Sequence, residues 1–404
     1  MYARIQDHRH TLGILAVTLS LRLLTLSFVL LQFPRRWFFS HGVELGTLAQ
    51  SVAAGRGLSS PFGGSTGPTA LLAPGYPALI ALIFFLLGPF TPAAAIAIML
   101  MQLVFSAITG LLIMHISGQL FGPRAANLSG AFWAISLPLL WMPTVFWESC
   151  LSTLLLVGMV ALALRWERQA EGFPLEWMGV YTALAGLVNP ALLPSLVAML
   201  GWCAWRTPKK RRHLVPALLV LCLVFAPWPI RNALVLHAFI PLRSTVGLEL
   251  WMGNRAGATG FLDESVSPIF NRWEYDQYVS QGEARYMRTK SALARAYMRA
   301  HRSEFLRLST LRCLRFWSGT GSKDGSVFFA IHAVLTTSLG AAGIWRLFAR
   351  RRVSLAALFL LPLLLFPLPY YITHAEFRYR LVIDPVLTIL AGYAVSGRDG
   401  GQPC

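Results

Sequence analysis

Long apolar runs separated by short polar breaks fill most of this chain. A helix needs about 20 mostly apolar residues to cross a bilayer. Runs of that kind occupy 12–33, 92–118, 125–144, 149–165, 176–205, 214–233, 326–347, 353–371 and 378–396. The run 176–205 is long enough for two passes, with a break at Asn189-Pro190, where the proline removes a donor and disfavours helix in the residue before it. The run 74–88 opens Pro-Gly-Tyr-Pro and is short, which fits an interfacial or re-entrant helix better than a crossing. The pattern predicts an all-α polytopic membrane protein.

The basic residues set the register of these crossings. The strongest clusters are Arg206…Lys209-Lys210-Arg211-Arg212 and Arg346…Arg350-Arg351-Arg352. If the N-terminus, with Arg4 and Arg9, is cytoplasmic and 74–88 does not cross, then Arg124, Arg165, Arg168 and both clusters fall inside. If 74–88 crosses, the 206–212 cluster lands outside. The rule therefore favours about ten crossings, with 74–88 in the outer interface. The polar start, Met1 to Thr11, has no small-residue cleavage site after it, so the first run reads as a retained span.

Three regions follow. Residues 1–233 form an N-terminal membrane domain whose first outer loop spans 34–91. Residues 234–325 form an outer loop, too long for a simple connection. Residues 326–404 return to membrane helices. Within 234–325, Tyr286, Met287, Leu293, Tyr297, Met298 and Phe305 recur at helical spacing, and Arg285, Arg288, Arg295, Arg299 and Arg302 occupy much of the remaining surface. A basic amphipathic helix of that kind is expected to lie on a membrane surface.

Composition agrees with the pattern. Of 404 residues, 55% are hydrophobic and 13% charged, against about 25% charged in soluble domains. The net charge is +18. In so apolar a chain this excess points to an anionic membrane surface or an anionic substrate. No nucleic-acid-binding motif is present. Cys150, Cys203 and Cys222 lie in apolar runs without a CxxC partner, which argues against a disulfide framework or a cysteine metal site.

Candidate chemistry collects on the side that the topology places outside. Glu44 is the lone carboxylate of the first outer loop, which is otherwise Gly- and Pro-rich. A partly buried Glu at the membrane face can serve as a general base, because desolvation raises its pKa. The bland alternative is a solvated or capping acid. Glu148, at the outer start of a span, is either a helix-capping residue or a second acid that orients an acceptor or a divalent cation; one carboxylate alone is a weak metal signal. Arg378 and Arg380 open the last run after His374 and Glu376. They are either interfacial anchors or a phosphate site, since guanidinium gives bidentate donors to phosphate oxygens. Arg231 and Arg243 are weaker candidates for the same role. Arg22 lies inside the first apolar run and must have a partner that the sequence does not name. His115 and His332 read as satisfied polar residues. Gly55-Arg56-Gly57 and Gly63-Gly64 do not fit a nucleotide loop and read as turns.

These residues, in this order, resemble the GT-C superfamily of membrane glycosyltransferases, in particular bacterial relatives of glycosyltransferase family 39, the protein mannosyltransferase and aminoarabinose transferase kin. The resemblance rests on Glu44 followed by Ala-Ala-Gly-Arg56-Gly, on Pro74-Gly-Tyr76-Pro77 leading to Leu86-Leu-Gly88, and on Gln119-Leu-Phe-Gly122 at an inner turn. Asn189-Pro190, Ala226-Pro-Trp-Pro-Ile-Arg231-Asn232 and Arg378-Tyr-Arg380…Pro385 extend it over most of the chain. One Glu stands where the family commonly carries Asp-Glu or Asp.

The resemblance implies a GT-C-like helical bundle in the plasma (inner) membrane, with its site on the outer face. It also implies a polyprenyl-phosphate-linked sugar donor and a lipid, glycan or protein acceptor. Glu44 would deprotonate the acceptor hydroxyl, Glu148 would assist, and Arg378, Arg380, Arg231 and Arg243 would hold the donor phosphate. His41, Arg56, Pro74, Tyr76 and Pro77 would form the substrate loop, and the product would be inverted. No cofactor is implied with certainty, and a divalent cation stays open. The rival readings are a transporter or flippase for an anionic lipid or metabolite, and an inactive scaffold of the same fold.

Overall fold

The computed structural model describes residues 2–33, 37–40, 42–168, 174–320 and 327–397. Regular structure among them is helical, apart from one isolated bridge between Ser59 and Pro68. Six helices are long and apolar enough to cross a bilayer, or seven if one bent pair counts as a single span. The chain is an all-α polytopic membrane protein.

Helix α1 (Tyr2–Gln32) is followed by the short α2 (Trp37–Ser40), α3 (Val43–Ala53) and α4 (Gly75–Leu87). α5 (Pro92–Phe121) starts at Thr91, whose hydroxyl accepts from the Ala94 N–H, with Pro92 in the first turn. Gly122, at φ 90°, ends it, and Pro123 opens α6 (Pro123–Ile135). An extended Ser136 and the following Pro138 separate α6 from α7 (Leu137–Trp141), with a bend of 62°. Next come α8 (Ser149–Arg168), α9 (Leu175–Val188), α10 (Leu193–Arg206), α11 (Leu214–Phe225) and α12 (Pro227–Leu236).

The run 176–205 folds as two 14-residue helices separated at Asn189-Pro190. The Asn189 side chain accepts from the Ala191 N–H and donates to Ser152 Oγ at 3.1 Å. Tyr181 reaches the Leu155 carbonyl, so α9 climbs antiparallel to α8. α10 then returns, because Arg206 pairs with Glu167 and the Trp166 indole bonds Thr207. α11 runs beside α9 in close contact: a Cβ on Gly179 would stand 2.2 Å from the Ala217 carbonyl oxygen. Small residues at such crossings let helix backbones approach.

After α12 the chain leaves the bundle for α13 (Val246–Gly253), α14 (Arg272–Gln281), α15 (Glu283–Ala300) and α16 (Arg302–Ser318). It re-enters through α17 (Val327–Ala349), α18 (Val353–Leu365), α19 (Leu368–Ile372), α20 (Phe377–Arg380) and α21 (Asp384–Val395). The run 378–396 is thus a short helix pair and not one long helix.

One end of the bundle collects the basic residues. Arg168 donates to Gln119 Oε1 at 2.7 Å, Arg346 to the Tyr393 carbonyl at 2.6 Å, and Arg352 to the Leu120 carbonyl at 3.1 Å. The opposite end carries α2–α4 and the segment α13–α16. Between the two ends, Arg22 is buried. Its Nε donates to Ser106 Oγ at 2.8 Å and its Nη2 to the Trp133 carbonyl at 3.1 Å. Trp133 lies in the last turn of α6, where helical carbonyls lose their intrahelical donors.

The basic amphipathic helix is found as α15, but its inner face meets protein. Tyr286, Met287, Lys290 and Ala294 are buried, while Arg285, Arg288, Arg295, Arg299 and Arg302 are exposed. A Cβ on Gly247 of α13 would stand 2.0 Å from the Met287 carbonyl oxygen, so the two backbones touch. The sequence hid the reason: Lys290 and Glu274 form a buried ion pair at 2.6 Å, with the Tyr286 hydroxyl on the same carboxylate. Of the apolar positions expected at helical spacing, Tyr286 and Met287 thus pack on protein, while Leu293 stays exposed.

Candidate functional site

α3 presents Glu44 in its first turn, one residue into the helix that follows Gly42. The surroundings desolvate this carboxyl and push it up from 4.5 to about 7. Its own backbone N–H and the nearby Arg378 oppose that rise, while Glu249 and Glu264 add to it. Glu44 as a residue is half-buried.

Arg378, in α20, is the cation whose charge reaches it. Its guanidinium carbon lies 4.3 Å from the Trp147 ring centroid and 5.0 Å from that of Tyr379. Its Nε donates to Glu376 Oε2 at 2.5 Å and its Nη2 to the Tyr379 hydroxyl at 3.3 Å. Burial works against its charge, but Glu376, Tyr379 and Glu148 outweigh burial and hold it protonated still more firmly. The Tyr379 hydroxyl bonds His374 Nε2 at 2.9 Å. His374 Nδ1 lies 3.1 Å from Glu249 Oε2 without hydrogen-bond alignment. A chain of polar groups therefore runs from α13 to the cation.

Glu148 immediately precedes α8, and its carbonyl accepts from the Ser152 N–H at 2.8 Å, so it occupies the helix-capping position. Its charge nevertheless reaches Arg378, Tyr76 and Tyr370. Arg243 also acts on Tyr370, and its Nε bonds the Leu71 carbonyl at 3.2 Å. Tyr370 stacks on Tyr379 at 4.2 Å between centroids. Glu148, Arg243, Glu249 and Arg378 thus act on Tyr370, and Glu44 joins this group through the charges of Arg378 and Glu249. Tyr76 is buried, and its hydroxyl has no hydrogen-bond partner among the described residues. Pro74 caps α4 and Pro77 is buried in its first turn, which fixes Tyr76 in place.

Three other sequence candidates have different positions. Arg380 is fully buried and committed inside the bundle. It pairs with Asp384 at 2.5 Å and donates to Thr336, Thr337 and the Ala333 carbonyl. Asp384 in turn holds His332 at 2.8 Å, and His332 bonds Ser136 at 2.7 Å. Arg380 therefore locks α17, α21 and the α6–α7 break together, and its guanidinium has no exposed surface for a donor phosphate to meet. Arg231 clamps the first loop through the Thr69 and Leu58 carbonyls at 2.7 and 3.0 Å. Arg56 is exposed on the turn after α3. His41 lies outside the described residues.

Sequence reasoning missed Trp147, Glu249, Tyr370 and Tyr379. The last two sit in Tyr370-Tyr371 and beside Arg378, an aromatic excess that could have marked them. It also missed Glu283. That carboxylate accepts from the Thr69 hydroxyl, from the Ala70 N–H at 2.7 Å and from the Tyr278 hydroxyl at 2.7 Å. No group of three or more metal-ligating side chains occurs among the described residues. No protein-family model matches this chain, and no curated protein matches it.

Proposed function

We propose that the protein is a GT-C-like glycosyltransferase, with Glu44 as the base that activates an acceptor hydroxyl. The observation that carries the reading is the Glu44 carboxyl, enclosed, raised to about 7 and set within electrostatic reach of Arg378. A base with a pKa near working pH is the efficient choice for proton abstraction. Arg378 and Arg243 would meet the phosphate of a polyprenyl-phosphate-linked sugar as it leaves, where a preorganised cation in a water-poor site acts most strongly. Glu148 would orient the acceptor. Attack from the face opposite the phosphate would invert the anomeric carbon.

The same reading counts the crossings as α1, α5, α6–α7, α8, α9, α10, α11–α12, α17, α18 and α21, about ten in all by the basic-side rule. The basic end would be cytoplasmic and the Glu44 end would face outward from the plasma (inner) membrane. Transfer from a polyprenyl-phosphate sugar by purified protein in nanodiscs is the test, read as glycan product together with its anomeric configuration. A retained anomeric configuration, or no product with any acceptor class, would count against the proposal. A second reading, transport of an anionic lipid or metabolite, draws on the 62° break between α6 and α7, since broken helices line transport paths. Flux of an anionic lipid across proteoliposomes without glycan product would favour it.

A further inference from the structure

A second feature lies beside the Glu44 helix, and its interpretation rests on the transferase reading. A groove of about 420 Å³ opens between the first loop and the segment leading into α14, walled by Phe62, Gly63, Gly64, Phe270, Arg272 and Tyr275. Its size falls in the range of small-molecule sites, about 300–1,000 Å³. The groove is tied directly to α3: Thr47, one turn past Glu44, donates its hydroxyl to the Pro61 carbonyl at 2.5 Å, and Phe62 follows. The opposite wall begins just after Glu264, which is near enough to act on the Glu44 carboxyl.

The walls have a specific chemistry. The Phe62 ring is pinned edge-on to Tyr278 at 4.9 Å, and Phe270 is 58% exposed. Arg272 lies 5.1 Å from the Tyr275 ring centroid, with its Nε held 3.1 Å from Asp276. Gly63 and Gly64 have φ of 81° and 67°, a region that favours glycine. A Cβ on Gly64 would stand 2.6 Å from the Tyr275 hydroxyl. The Gly63–Gly64 backbone, flat rings and a guanidinium therefore line the groove, together with Pro268 and Ile269, and neither its glycines nor Arg272 make a continuous apolar wall. Pyranose rings present apolar C–H faces to aromatic rings and hydroxyls to backbone and guanidinium groups. A lipid tail would instead need a continuous apolar trough.

We infer that this groove is the acceptor subsite and that the acceptor is a saccharide, bound with one sugar face against Phe270 and Tyr275 and its hydroxyls toward Arg272 and the Gly63–Gly64 backbone. Bound there, a sugar chain would extend toward Glu44 along the loop that Thr47 fastens.

Saturation-transfer NMR on the full-length protein in nanodiscs tests this, with maltotriose as the saccharide probe and a threonine-containing hexapeptide as the contrast. Maltotriose ring protons should receive saturation from the wild-type protein. Tyr275→Ala and Arg272→Ala should each weaken that binding at least about fivefold while Tm stays within a degree or two, since both side chains are partly or largely exposed. No transfer to maltotriose, unchanged binding in both variants, or preferential binding of the hexapeptide would overturn the assignment. Release of polyprenyl phosphate from the donor is read separately. If maltotriose binds at the groove but that release proceeds equally in Glu44→Gln, the base assignment fails and the groove stands.

Discussion

At the residue scale, two arginines two positions apart have separate roles. Arg378 is partly exposed and its charge reaches Glu44, whereas Arg380 is sealed against Asp384. Arg378→Lys should cut transfer nearly as much as Arg378→Ala, because lysine loses the planar fork, and should leave Tm almost unchanged. Arg380→Ala should instead destabilise by about 3–5 kcal/mol, because it strands a buried carboxylate. Denaturation in detergent beside a turnover assay separates the two, and equal loss of turnover at equal Tm would deny the distinction. Glu44 gives a pH prediction. In the proposed role its deprotonated form would be the base, so transfer should rise with pH through about 7. Between 4.5 and about 7 the folded state keeps a proton that the unfolded chain has released, so stability should fall as pH rises across that window. Glu44→Gln should lose this slope, which thermal scans at pH 5 and pH 8 would show. The sequence singled out Glu44 as a candidate because it stands alone in its loop. It could not separate Arg378 from Arg380, because both look like interfacial cations until Asp384 is seen one turn further on, facing inward.

At the element scale, the segment α13–α16 grips both halves of the site. It holds the first loop through Glu283 and through the Ser244 N–H on the Ala70 carbonyl. It holds the approach to α20 through Asn254 on the Ile372 carbonyl at 2.8 Å, through Arg312 on the ends of α13 and α19, and through the Trp317 indole on the Tyr371 hydroxyl. Glu283→Ala leaves Thr69, Ala70 and Tyr278 without their acceptor, at a cost of about 1–3 kcal/mol for each buried group. Hydrogen exchange should speed at the Ala70 amide while amides in α8 stay protected. Unchanged exchange at Ala70 would show that the loop holds itself. Hydrophobic periodicity found α15, yet its partner was invisible, because a buried Lys290–Glu274 pair reads in sequence as surface charge.

At the scale of the whole molecule, hydropathy and basic clusters gave the polytopic class and gathered the basic loops at one end. They could not size the helices: α9, α10 and α21 are short because Pro190, the break before Leu193 and the turn before Asp384 divide what composition presents as continuous apolar sequence. Cysteine labelling at position 211 from the cytoplasmic side only, and at Arg56 from the outer side only, should confirm the proposed orientation; labelling of both from one side would refute it. In the proposed transferase, Glu44 is the base that takes the proton from the acceptor hydroxyl. The most direct measurement is sugar transfer from a polyprenyl-phosphate donor by purified wild-type and Glu44→Gln protein in nanodiscs, with donor binding and Tm measured on the same samples. The Glu44→Gln protein should fold and bind donor, with transfer lowered on the order of 10²–10⁴-fold. Near-normal transfer by Glu44→Gln would contradict it.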